Sequence, residues 1–266
     1  MEQSTPKIAI CFYGQPRNYE EGYQVFYNFL KGNQIDISTT DFFFHAWTIS
    51  PTEQFHTSPY RKISPSELQF NPNMKSQLLD LYKPKRHRFE PQKSRDFFHV
   101  EQYQNTIAYR NLNDKKTIDN ISNVLSQLYS IQSVRDLFQE YILETGVKYD
   151  FIIISRFDFK GNLSLIKINN YDYRTSVLLP ENHHPRNLIS GSVIFLPQSV
   201  FLTWMNMYQD LDKILDNSEI AEIMLKNEEK LYFNAEEIFT ASYLYYYKDA
   251  KHILYLKPAI WFTTNL

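Results

Sequence analysis

A single cysteine, Cys11, leaves this chain no partner for an intramolecular disulfide and no zinc-ligand spacing, so a reducing compartment is the expected setting. Glycine is nearly as scarce. Only 6 occur in 266 residues, and no Gly-x-Gly-x-x-Gly run follows the first apolar stretch, which weakens a dinucleotide-binding methyltransferase or dehydrogenase. Net charge is small as well: the formal value of -2 gives none of the basic field that releases counterions from nucleic acid, so no nucleic-acid partner is expected. No apolar run approaches the roughly 20 residues of a membrane span. The polar Met1–Lys7 passes straight into Ile8–Phe12, which is too short for a signal-peptide core, and a cytoplasmic protein is the expectation.

Aromatic residues are abundant. Twenty Phe and 20 Tyr within a 43% apolar composition supply large side chains for a sizeable core. No internal repeat or low-complexity linker divides the chain, so residues 1–266 read as one α/β domain. Ile8–Phe12 reads as a strand, Gly14-Gln-Pro-Arg17 as a turn and Tyr19–Leu30 as a helix. Asp41–Trp47 reads as a second, parallel strand covered on both faces. From Ser50 to about Asn113 the composition predicts irregular chain, with Lys83–Arg88 as a solvated basic loop. An apolar stripe from Ile121 to Ile142, capped by Asp119 or Asn120 and ended near Gly146, predicts a long helix. Tyr149–Phe159 follows as a central strand. Ser176–Leu179 and Ser190–Leu196 are further strand candidates. Helices are expected at Ser199–Leu215, Ser218–Lys226 and Asn234–Tyr247, and a last strand at His252–Leu256. The fold class is therefore α/β, with a central, mostly parallel mixed sheet flanked by helices.

Open sheets of this kind bind ligands outside the carboxyl ends of their strands, which directs attention to Phe12–Asn18 and Ile154–Phe159. Gly14, Gln15 and Arg17 stand where a tight turn meets a helix N-terminus, an arrangement that suits an anion but also any ordinary β-to-α turn. Arg156 and Asp158, two apart on a strand, share a face and can form a simple ion pair. His45 and Trp47 alternate with Phe residues and share a side. His45 fits either a satisfied core residue or a pocket residue. His183 and His184 lie in a polar loop, where solvation is the plain expectation. Gly191 marks either a bulge or a close approach to a ligand. The aromatic run Tyr243–Tyr247 reads mainly as packing.

An opening strand ending in Gly14-Gln-Pro-Arg17, an aspartate-aromatic-His45-x-Trp47 strand, and a Tyr149-Asp, apolar run, Arg156-x-Asp158 strand together resemble the small GT-A-type nucleotide-sugar glycosyltransferases of bacterial polysaccharide loci and large DNA viruses. The resemblance implies a GT-A-like, Rossmann-like domain with a nucleotide-binding half at about 1–160 and an acceptor half at about 161–266. It implies a nucleotide-sugar donor, a glycan acceptor, and a donor site lined by Tyr13, Gly14, Gln15, Arg17, His45, Arg156 and Asp158. In that family a two-carboxylate motif holds a divalent cation on the donor diphosphate. Here Arg156-Phe-Asp158 offers one carboxylate, so either Asp158 holds Mn²⁺ or Mg²⁺ with phosphate oxygens and waters, or Arg156 supplies the positive charge. Asp158 as metal ligand is the favoured expectation. An acid at the start of a late helix often acts as base in such enzymes, which points to Glu236. Its neighbour Glu237 has a structural explanation as the return partner of a capping box with Asn234.

Overall fold

The computed structural model describes residues 6–55, 70–94, 96–106, 118–164, 166–172, 174–180, 189–225, 235–248 and 253–256. Its centre is one sheet of seven strands: β1 (Ile8–Gly14), β2 (Asp41–Thr48), β3 (Arg86–Pro91), β4 (Phe151–Arg156), β5 (Val177–Pro180), β6 (Val193–Leu196) and β7 (Ile253–Leu256). They lie in the order β3-β2-β1-β4-β6-β5-β7. β3, β2, β1 and β4 pair in parallel, β6 runs against both β4 and β5, and β7 rejoins β5 in parallel. The sheet is therefore mixed and mostly parallel.

Helices cover both faces. Ile8, Ile10 and Phe12 face α1 (Tyr19–Gly32) and α2 (Met74–Tyr82) in one apolar cluster. Ala9, Cys11 and Tyr13 face the other way, toward α3 (Ile118–Thr145), α4 (Gln198–Trp204), α5 (Leu211–Leu215), α6 (Ser218–Leu225) and α7 (Ala235–Tyr247). Two covered faces explain why the strands read as continuous apolar runs rather than as an alternation of apolar and polar residues.

Two expectations are corrected. The stretch read as irregular contains α2 and β3, and Arg86–Arg88 of the supposed basic loop belongs to an edge strand paired with β2. An edge strand has one neighbour and tolerates charge, so its sequence carries no apolar run to betray it. The helix expected over Ser199–Leu215 is two helices, interrupted after Trp204 by a turn. In that turn Asp210 accepts hydrogen bonds from Asn206 at 3.0 Å and from Tyr246 at 2.8 Å. Among the described residues, no helix is long and apolar enough to cross a membrane.

The chain runs from β1 outward to β2 and β3, then returns to place β4 on the other side of β1. Open sheets take ligands outside such a reversal, here at the carboxyl ends of β1 and β4. Register aligns Arg88, His45, Tyr13 and Arg156 as neighbours across β3, β2, β1 and β4, toward that edge of the sheet.

α1 crosses the end of β4 so closely that a Cβ on Gly22 would lie 1.9 Å from the carbonyl oxygen of Phe157. Backbone must move to admit any side chain there, because interiors have no slack for an added methyl group. Gly22→Ala is expected to lose at least about 2 kcal/mol in urea unfolding. A loss below about 0.5 kcal/mol, the range of ordinary surface changes, would show that α1 does not sit on the Phe157 turn.

Candidate functional site

Gly14 ends β1 with φ of +98°, a backbone conformation that side chains rarely adopt, and so lets the chain turn sharply into α1. Its N–H donates to Ser130 Oγ at 2.7 Å, and Ser130 Oγ lies 2.6 Å from His45 Nδ1. The hydroxyl meets Nδ1 as donor or as acceptor according to the tautomer, and the ring's other nitrogen is Nε2. That nitrogen is buried without a hydrogen-bond partner, 3.8 Å from Glu90 Oε1. His45 has 0% exposure. Burial, aided by the charges of Arg88 and Lys93, pushes its pKa down to about 3, so it is neutral. Trp47 stands beside it with ring centroids 4.6 Å apart, as the shared side requires, and stacks on Tyr129 of α3. His45 thus supports the Gly14 turn from behind.

Past the turn, Arg17 reaches the end of β4. Its Nη2 donates to Asp158 Oδ2 at 2.9 Å, while Arg156 grips the same carboxylate through Nε to Oδ1 at 2.8 Å and Nη2 to Oδ2 at 2.6 Å. The side chains of Arg17, Asp158 and Arg156 are only 8%, 14% and 22% exposed. The ion pair that the sequence allowed between Arg156 and Asp158 is therefore formed, and Arg17 joins it. Burial opposes the charge on Arg156, but the Asp158 carboxylate outweighs it and holds the pKa above the ordinary arginine value.

Tyr13 lies next to this cluster. Its hydroxyl donates to the Gly191 carbonyl and accepts from Gln127 Nε2 at 3.2 Å. Burial raises its pKa, so the phenol stays neutral. Glu236, in the first turn of α7, is close enough to act electrostatically on both Tyr13 and Arg156. α7 is docked there through Thr240, whose Oγ1 donates to the Glu236 carbonyl at 2.8 Å and accepts from the Ile189 N–H at 2.9 Å. Glu237 is buried, and Asn234, His183 and His184 lie outside the described residues. The space above Gly191 belongs to the protein: a Cβ there would meet the Phe239 ring at 2.7 Å. Tyr243 is likewise core, packed on Trp204 at 4.9 Å.

No family model matches the chain, and no curated protein matches it in sequence.

Tyr13, Gly14, Arg17, Arg156, Asp158 and Glu236 are thus gathered at one sheet edge from three distant segments, with Gln15 in the same turn. Gln15 Nε2 approaches Gln92 Oε1 at 3.4 Å, across the ends of β1 and β3. The donor set does not suit a resident divalent ion. Both oxygens of Asp158 accept from guanidiniums, and no group of three His, Cys, Asp or Glu poised to hold a metal exists among the described residues. A cation on that carboxylate, about 4 Å from each guanidinium, would be opposed by about 4 kcal/mol per pair of unit charges at the effective dielectric of such a site.

Sequence reasoning missed Gln127 and Ser130. The helix that carries them was read only for its apolar stripe. The signal was a second stripe beside it, of which Ser130 and Ser133 are almost fully buried. A helix facing only apolar neighbours would not bury hydroxyls there.

Because folding lowers the pKa of His45 from its ordinary value near 6.5 to about 3, the folded state binds fewer protons than the unfolded one. The resulting stability is complete above pH 6.5 and is lost as pH falls toward 3, by about 1.4 kcal/mol per unit. Urea unfolding from pH 6 to pH 4 should therefore show a steeper loss in the wild type than in His45→Asn. Parallel curves would mean that the histidine is not buried in neutral form.

Proposed function

We propose that this chain moves a monosaccharide from a nucleoside-diphosphate sugar to a glycan hydroxyl, on a GT-A-like sheet. One observation carries the reading: Arg17 from the first turn, Arg156 at the end of the fourth strand, Asp158 in the turn after it and Glu236 from the last described helix meet at the switch point, where open α/β sheets take ligands. The sequence motifs that prompted the resemblance thereby share one site, despite 141 residues between Arg17 and Asp158.

In this reading the diphosphate lies over the carboxyl ends of β1 and β4, facing the Arg156 guanidinium, which Asp158 shares with Arg17. The acceptor oxygen bonds to the anomeric carbon as the bond from that carbon to the phosphate oxygen breaks. The bonding electrons leave with the nucleoside diphosphate, and the acceptor proton passes to Glu236. Fixed positive charge beside the leaving group lowers the barrier because the charge on that oxygen grows as the sugar departs. Asp158 orients both arginines, which cannot themselves lose their charge.

A second reading, a carbohydrate-binding or scaffolding protein without turnover, draws on the same carboxylate: Asp158 is already paired on both oxygens. Release of free nucleoside diphosphate from a panel of nucleotide sugars separates the two. The enzyme reading expects turnover. It also expects Glu236→Gln to fall at least about tenfold, since a general base contributes about 10² or more, and Asp158→Asn to fall at least as far. Wild-type rates in both variants, or sugar binding without any release, would remove it.

A further inference from the structure

We infer that the diphosphate of the donor is held by Arg156 directly, with Arg17 buried behind it on the shared Asp158 carboxylate and no divalent cation between Arg156 and the phosphates. The inference rests on the donor-site reading above and concerns how that site meets the ligand's charge.

Three observations on the same side chains carry it. First, Oδ1 of Asp158 takes Arg156 Nε and Oδ2 takes a terminal nitrogen from each arginine, so a metal on either oxygen would sit against guanidinium charge. Second, Arg156 spends only Nε and Nη2 on that carboxylate. Its other terminal nitrogen, Nη1, makes no hydrogen bond among the described residues, and the side chain stays 22% exposed. Third, no further carboxylate or imidazole completes a ligand set among the described residues.

A planar guanidinium presents five N–H groups in a fixed fork that matches phosphate oxygens. When a carboxylate grips one edge of that fork, the opposite edge is aimed and its conformational freedom is already spent. The ligand then pays little ordering cost on arrival. Asp158 in this arrangement is a positioning residue: it keeps two like charges side by side that would otherwise repel, and leaves the far edge of Arg156 for the anion. A lysine would serve less well, since its ammonium is a point charge without a second edge.

Titration calorimetry of UDP, GDP, ADP, CDP and dTDP into the full chain, once in EDTA and once in Mn²⁺, tests this. The expected result is that at least one nucleoside diphosphate binds in EDTA with a Kd within about threefold of its value in Mn²⁺, and that Arg156→Gln weakens it by about ten- to a hundredfold, the loss of a charge-assisted pair of hydrogen bonds. Arg17→Gln should weaken it by about tenfold or more. Melting curves without ligand establish that each variant is folded. If Arg156→Gln is not, Arg156→Lys takes its place with a smaller expected loss. Binding that appears only with Mn²⁺ overturns the metal-free site while leaving the glycosyltransferase reading standing. Binding in EDTA that ignores both arginines overturns it also. No binding of any nucleoside diphosphate under either condition overturns both.

Discussion

A carboxylate shared by two arginines governs the carboxyl edge of this sheet. Asp158 stands just beyond the last residue of β4, Arg156 reaches forward from that residue, and Arg17 comes across from the turn after β1. None of the three is more than 22% exposed, so none of the charges is well solvated. A buried charge is tolerated only when paired and hydrogen-bonded, and removing one member leaves the others uncompensated. The trio therefore ties the turn after β1 to the turn after β4.

The remainder of the fold supplies the conditions for that contact. Parallel pairing of β1 with β4 sets Tyr13 beside Arg156, and pairing of β1 with β2 sets Tyr13 beside His45. α3 then braces the row from one face: Ser130 holds the Gly14 amide and Gln127 holds the Tyr13 hydroxyl. α1 presses on the Phe157 turn from the other face through the missing side chain of Gly22. Both approaches are short-range contacts between backbone and packed elements, the kind of support that keeps a side chain within a fraction of an ångström of its place. The opposite edge is closed by a different polar group, in which Asp41 at the start of β2 accepts from Tyr149 at 2.7 Å and pairs with Lys7 at 2.8 Å. That group is satisfied within the protein.

Apolar periodicity made β1, β2, β4 and α3 readable, because each buries residues at its own repeat: Ile8, Ile10 and Phe12 on one face of β1 against Ala9, Cys11 and Tyr13 on the other. β3 was illegible for the same reason in reverse, since Arg86–Pro91 is half-exposed at the sheet's edge and owes its strand form to β2 rather than to its composition. The break after Trp204 was hidden because apolar spacing continues through Met205, Met207 and Leu211, while side-chain hydrogen bonds to Asp210 decide the turn. At the site, the contact of Arg156 with Asp158 was expected between two residues on one strand; β4 ends at Arg156, and the pair forms across the turn that follows. The contact of Arg17 with Asp158 was not expected, because only the strand order brings their segments together. His45 suited the core somewhat better than a pocket, and the deciding fact, the Ser130 hydroxyl beside it, lies 85 residues away.

Burial also sorts the charges along this edge. His45 and Tyr13 occupy the centre of the row, and the cost of desolvating an ion keeps both neutral, the imidazole by lowering its pKa and the phenol by raising it. Arginine has no neutral form within reach, so Arg156 meets the same burial by pairing. The result is a row with neutral side chains at its centre and charged ones, Arg88 and Arg156, at its two ends. The field of paired charges is fixed before any ligand arrives and needs no reorganisation when an anion approaches. Neutral support behind and paired cations in front follow from one rule, that an interior position removes every charge it cannot pair.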